Sequence, residues 1–531
     1  WYRLFLTSYP TDPASAEMNF LQAELLFENG QFTEAAREYE KTAYDYPQYD
    51  KGADAGYAAL LAYGEGEKGL DDSARTAWQQ QEIDSALRFA ERYPHDQHLA
   101  AILAKTARQL FELGDNAQAV DVAHRAIDIS TRKQADLRLS AWTIVAHAAF
   151  DTADYETAEK AYTQAIKLHP GKGETETALH ERLAASIYKQ GEVARAGNDL
   201  ETAANHFLRV GKVVPSSAIR STAEYDAATI YQTLKQWHKA ITVLEKFRRS
   251  YPDHSLQDEV TAKLAVAYLE NGNYQKAATE FDTIAASDPK EEVQRDALLQ
   301  AASLYQKTGN STAAINAYKH FVTSFPQPLE QAIEVRHDIA DIYLQSGQIE
   351  KQKFWLKQII QANKVSGTSR TNRTLYLAAQ ASFELAKYDY EFYTSIQLKA
   401  PFPKNLLKKK KAMENTLEAY KHVLDYDIAE MTTAASFQIA STYTDFSKAL
   451  LNSQRPRGLS DIELEQYNVL LEEQAYPFEE EAIAAHELNA LRVSQGIYDD
   501  WVKKSFNALA KLLPVRYAKS EKSEDFISVL K

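Results

Sequence analysis

The feature that most limits what this chain can become is a period. Pro252, Pro289 and Pro326 stand 37 residues apart, and the residues between them repeat. The segment "AKLAVAYLENGNYQKAATEFDTIAASDP" carries Ala265, Tyr268, Gly272, Tyr274, Ala277 and Phe281 ahead of Pro289. The next, "LLQAASLYQKTGNSTAAINAYKHFVTSFP", returns Ala302, Tyr305, Gly309, Ala314 and Tyr318 ahead of Pro326. At such a period each repeat is one supersecondary unit whose apolar face only its neighbours can cover, so the chain stacks into an array. A length of 531 residues agrees, being too great for one compact core.

The repeating unit reads as a pair of helices. Only 18 glycines and 15 prolines interrupt a chain rich in alanine, the strongest helix former. The periodic alanines let two backbones approach closely, and the large aromatics beside them fill the space between neighbouring pairs. Glycine at the inter-helix turn supplies a positive φ without a Cβ penalty. Proline then closes the second helix. An aromatic precedes it at Tyr9-Pro10, Tyr46-Pro47, Tyr93-Pro94, Tyr251-Pro252 and Phe325-Pro326, where the ring is expected to pack back on the stack.

Over roughly its first 360 residues the chain resembles the tetratricopeptide repeat. The fullest copy, "WTIVAHAAFDTADYETAEKAYTQAIKLHP", holds Trp142, Ala146, Tyr155, Ala158, Tyr162, Ala165 and Pro170. Another carries Ala23, Gly30, Phe32, Ala35, Tyr39 and Pro47, and a later one Ala340, Tyr343, Gly347 and Ile349. The resemblance implies an all-α, right-handed solenoid of stacked helical hairpins. We expect this superhelix over residues 1–395, about nine to ten repeats already under way before Trp1, with a divergent helical module over 396–531. That module is expected to hold helices at Ala429 to Leu451 and at Ser460 to Gln474, then a last hairpin with Gly496 at its turn. Two irregularities mark the array: an insertion near residues 64–80, and a long first helix from Ala178 to Ala196 with Gly191 inside it.

Chemistry is scarce. "GEGEKG", Gly64 to Gly69, spells a phosphate-loop pattern, but no strand precedes it and Glu65 and Glu67 would repel phosphate. His180 and His486 open helical zinc motifs that lack their second histidine, and His95 with His98 flank a turn. No catalytic residue, cofactor or metal is expected, and the chain reads as a non-enzyme. A net charge of −14 argues against nucleic acid, and no apolar run is long enough to span a membrane. The one dense basic run, Lys408, Lys409, Lys410 and Lys411, reads as a docking patch or as a solvated helix face attracted to the acidic run Glu472 to Glu481.

What the resemblance implies is binding: a groove lined by first helices that holds a segment of another protein. Family geometry would turn Arg108, Phe111, His147, Phe150, Tyr225, Gln232, Ser303, His337 and Asp341 toward it. The lysine and asparagine clamp of chaperone-tail receptors is missing, its positions holding Thr143 with His147 or Ala262 with Val266. The aromatic-proline endings, as in "EKFRRSYPDHSLQDEV", are similar to those of bacterial envelope repeat scaffolds of the Tol-coordinator and outer-membrane-assembly type. That resemblance, with the absence of cysteine, implies a periplasmic or outer-membrane-associated scaffold that assembles envelope proteins. Any membrane association would come through partners or an upstream segment. A cytoplasmic adaptor or peptide-sensing regulator is the alternative, and a lytic-transglycosylase platform the remotest reading.

Overall fold

A computed structural model describes residues 1–46, 49–68, 70–169 and 174–519. Pro47, Gly69, Pro170 and the end of the C-terminal tail lie outside them. The described residues are helical throughout, with no strand, and fall into two compact units, Trp1–Asn271 and Gly272–Lys531.

The first unit opens with α1 (Tyr2–Ser8) and the hairpins α2/α3 (Ser15–Glu28, Phe32–Tyr44) and α4/α5 (Gly52–Glu67, Asp72–Arg92). Then follow α6/α7 (Leu99–Glu112, Asn116–Ile129) and α8/α9 (Ala135–Asp151, Tyr155–Leu168). The hairpins α10/α11 (Glu174–Ala196, Leu200–Val213) and α12/α13 (Arg220–Thr233, Trp237–Ser250) lead to α14 (Gln257–Glu270). Each helix packs on the next, and its alanines sit at the crossings: Ala23, Ala35, Ala59, Ala107, Ala146, Ala158, Ala228 and Ala265 are fully buried.

The aromatic-proline pairs share one geometry. Tyr9, Tyr93, Tyr251 and Phe325 each cap a second helix with φ between −134° and −123°. Proline demands this, because it bars the helical conformation to the residue before it. In each case the ring returns to the aromatic one turn earlier: Phe5, Phe89, Phe247 and Phe321 lie 5.0–5.6 Å away, centroid to centroid. The expected core anchor is present at Phe325, which is buried, while Tyr9 stays largely exposed.

The two irregularities are helical. Residues 64–67 extend α4, and α5 gains length to match, so the insertion takes the form of extra turns rather than a loop. Trp78 fastens them by donating its indole N–H to the Tyr63 carbonyl at 2.8 Å. A Cβ on Gly66 would stand 2.7 Å from the Trp78 ring, which explains that glycine without a phosphate. Gly191 has the same reason: a Cβ there would lie 2.7 Å from the Phe207 ring.

The second unit runs from α15 (Tyr274–Ser287) through α16/α17 (Glu291–Lys307, Ser311–Ser324) and α18/α19 (Leu329–Gln345, Ile349–Val365). Next come α20/α21 (Asn372–Ser395, Phe402–Leu424), α22/α23 (Ala429–Leu451, Asp461–Leu491), α24 (Asp500–Leu512) and α25 (Pro514–Tyr517). One core joins Phe383, Tyr393, Tyr420, Phe446 and Ala475, so α20 to α23 pack as a group. Helix α23 departs from expectation by continuing past Gln474 and through Pro477. The flanking residues hold it in place, Ala475 in the core and Phe478 4.6 Å from Phe446 in an edge-on contact.

Candidate functional site

In the first unit the first helices of successive hairpins are joined side chain to side chain. Arg108 on α6 donates to Ser140 on α8 at 2.8 Å. Phe111 on α6 stacks on His147 of α8, 6.1 Å between centroids and 28° between planes. Phe150 on α8 receives the Arg182 guanidinium of α10 at 5.8 Å. Tyr188 on α10 donates to Asp226 on α12 at 2.6 Å. Tyr225 on α12 donates to Glu259 on α14, and Gln232 donates to the Lys263 carbonyl at 2.9 Å. The Lys263 ammonium lies 5.2 Å from the Tyr225 ring.

This ribbon brings together six of the nine first-helix positions implied by the resemblance: Arg108, Phe111, His147, Phe150, Tyr225 and Gln232. Its other members, Ser140, Arg182, Tyr188, Asp226, Glu259 and Lys263, were not singled out from sequence. The signal was present, since each stands about one period from its partner, as Glu259 does from Tyr225. Leu25, Leu61, Val193 and Val266 add exposed apolar side chains to first helices of the same unit.

The ribbon is electrically mixed. His147 sits 2.7 Å from the Tyr162 hydroxyl, and burial, helped by Arg182, lowers its pKa. Burial pushes the Tyr162 phenol up to about 12. Lys263 is lowered by burial, with Glu259 and Asp226 opposing. The ribbon thus sets aromatic rings among the guanidinium groups of Arg108 and Arg182 and the carboxylates of Asp226 and Glu259.

The remaining positions lie in the second unit. Ser303 is exposed on α16. His337 and Asp341 pair along α18 at 3.5 Å, and burial raises the neighbouring Asp338 to about 6. Of the lysine run on α21, Lys408, Lys410 and Lys411 are exposed, but Lys409 is buried at 4% exposure. Its ammonium is spent on the backbone of α20, so it belongs to no surface patch. Lys411 pairs with Glu414 of its own helix at 3.6 Å, and no ion pair joins the run to Glu472 to Glu481 among the described residues.

His98 stacks on Tyr57 at 4.1 Å. Among the described residues no three His, Asp or Glu side chains come together to hold a metal ion, and no helix is long and apolar enough to cross a membrane.

Models of the tetratricopeptide repeat match residues 3–53, 146–210, 225–292, 296–328 and 333–365. No curated protein matches the sequence. Among solved structures, PilW, a type IV pilus biogenesis factor, is 16% identical, with 44% of this chain and 96% of that one covered and a TM-score of 0.21. A tetratricopeptide repeat protein from Parabacteroides merdae is 13% identical over 52% of this chain and 96% of its own, with a TM-score of 0.22. The Naa15/Naa10 complex bound to HypK-THB gives 13% identity over 97% of this chain and 85% of that one, with a TM-score of 0.27. Scores this low carry no argument about function.

Proposed function

The chain belongs to the tetratricopeptide-repeat proteins, and from that premise we propose that it is a non-enzymatic scaffold binding a segment of another protein on the first-helix face of residues 52–271. Arrays of this family are protein–protein interaction scaffolds, and repetition gives them long continuous faces. The observation that carries the assignment to this face is the ribbon itself. Phe111, His147 and Phe150 offer rings on α6 and α8 with Arg108 and Arg182 on the same and the next first helix, and Tyr225 offers another on α12, the residue types that most often anchor interfaces. A segment lying across α6 to α14 would meet a preformed surface and pay little to order it.

We place the scaffold in the periplasm or at the outer membrane, assembling envelope proteins. The aromatic-proline endings and the absence of cysteine support that reading. Photo-crosslinking in living cells tests both parts. A crosslinking residue at Arg108, Val193 or Val266 should capture the same envelope protein, whereas one at exposed Glu156 or Lys160 of α9 should not. Capture only from α9, or only of cytoplasmic proteins, overturns the face or the address respectively.

A further inference from the structure

The second unit shows solvent two helix faces that carry large apolar side chains, and their charges are opposite. On α23, Ile462, Val469 and Tyr476 are each at least half exposed. Their seven-residue spacing makes one stripe about 21 Å long, and Leu470 widens it. Glu465, Glu472, Glu473 and Glu480 stand exposed beside it. The helix buries a different set, Leu471, Ala475, Ala482, His486 and Asn489, and packs on α22 and α24. The stripe is therefore not part of the chain's own core.

The opposite face lies at the start of α21. Lys404, Lys408, Lys410 and Lys411 are exposed there, around a Leu407 that is 71% exposed. Lys408 holds its ammonium 5.5 Å from the ring of Phe392 on α20, itself more than half exposed. Lys404 stands in the first turn of α21, where a cation opposes the macrodipole, and the other lysines follow along the helix. Further along the helix Lys411 pairs with Glu414 at 3.6 Å.

We infer that these faces are made for each other across copies: the α21 face of one molecule docks on the α23 face of a second. Leu407 and Phe392 would cover the apolar stripe while the lysines meet its glutamates. A second copy is the occupant that the charges select. Each face sets exposed apolar surface among charges mainly of one sign, the signs are complementary, and among the described residues no ion pair joins the one face to the other. Because two different surfaces meet, the contact is heterologous, and copies add until a ring closes or a filament grows. The net charge of −14 opposes association at very low salt. Near 0.1 M the screening length is about 10 Å and contact pairs prevail; by about 1 M they are screened away.

Sedimentation velocity on the full chain, 59.9 kDa as a monomer, tests this directly. At about 0.1 M salt the mass should rise with concentration above the monomer, and at about 1 M it should return to it. The charge-reversed variants K404E/K408E/K411E and E465K/E472K/E473K should each be monomeric. An equimolar mixture of the two should associate again, because each supplies the face the other lost. L407S, changed at an exposed position, should weaken association without loss of helical circular dichroism. A wild-type chain that stays monomeric throughout overturns the inference, as does association indifferent to both reversals or a mixture that fails to recover it. So does a monomer that floats with phosphatidylglycerol vesicles through these lysines, which would give the patch to a membrane surface.

Discussion

The Nζ of Lys409 lies 3.0 Å from the carbonyl oxygen of Ile396, the residue that caps α20, and 3.1 Å from that of Tyr393. One lysine of a four-lysine run thus closes a helix C-terminus, where orphan carbonyls and the macrodipole both favour a cation. Burial lowers its pKa, and Asp445 opposes the shift.

Lys409→Met should therefore destabilise the chain by about 1–3 kcal/mol, since it strands the Ile396 carbonyl and leaves that of Tyr393 only the Ile396 N–H. Lys410→Met, on the exposed side of the same helix, should change stability by no more than about 0.5 kcal/mol. Urea midpoints of the two variants separate the outcomes. Equal midpoints would show that Lys409 is an ordinary surface lysine.

The glycines of "GEGEKG" give a test in opposite directions. A Cβ on Gly64 would meet only the Lys105 amine at 3.5 Å, whereas one on Gly66 would strike the Trp78 ring. Gly64→Ala should stabilise α4 by about 0.5–1 kcal/mol through helix propensity. Gly66→Ala should cost about 1–3 kcal/mol, because the indole must leave its place over α4. Thermal melting of the two variants should move to opposite sides of the wild type.

The period made the hairpins legible, because each alanine, turn glycine and proline acts locally and repeats. The first-helix positions that stand in the ribbon came from the family resemblance and not from the period itself. The period spaces their neighbours too, but Arg182 and Lys263 gain their role only once two first helices lie side by side. The lysine run misled for the same reason. Composition records four like charges, but the helical turn sends Lys409 inward with Ala412, Met413 and Thr416 and the others outward. The helix end expected at Gln474 misled in turn, because packing at Ala475 and Phe478 carries the helix through Pro477.

The inter-helix turns offer another prediction. Gly30, Gly114, Gly272, Gly309 and Gly347 adopt φ of 70–85° there, and Lys235 takes the same left-handed region at 55°. A non-glycine residue pays about 1–2 kcal/mol for that conformation. Lys235→Gly should raise stability by about 0.5–1 kcal/mol net of the glycine's added chain entropy. Gly309→Ala, at φ 76° with open space around it, should lower stability by about 1 kcal/mol through backbone strain alone. Calorimetric melting temperatures should shift up for the first and down for the second.

The last prediction concerns pH and a buried histidine. His486 lies within the second unit, 3.3 Å from Ser505 and against the Phe437 ring, and burial pushes its pKa from 6.5 down to about 4. A base with a depressed folded pKa stabilises the fold above its unfolded value, and that contribution is lost as pH falls from about 6.5 to about 4. Asp338 has the opposite sign: burial raises it from 3.8 to about 6, so its contribution is full below about 4 and lost as pH rises through 6. Urea midpoints between pH 4 and 6.5 should therefore change little in the wild type, where the two slopes oppose. His486→Gln should expose the Asp338 slope, with stability falling as pH rises. Asp338→Asn should expose the His486 slope, with stability falling as pH drops. Parallel pH profiles for the two variants would show that neither group carries the linkage assigned to it.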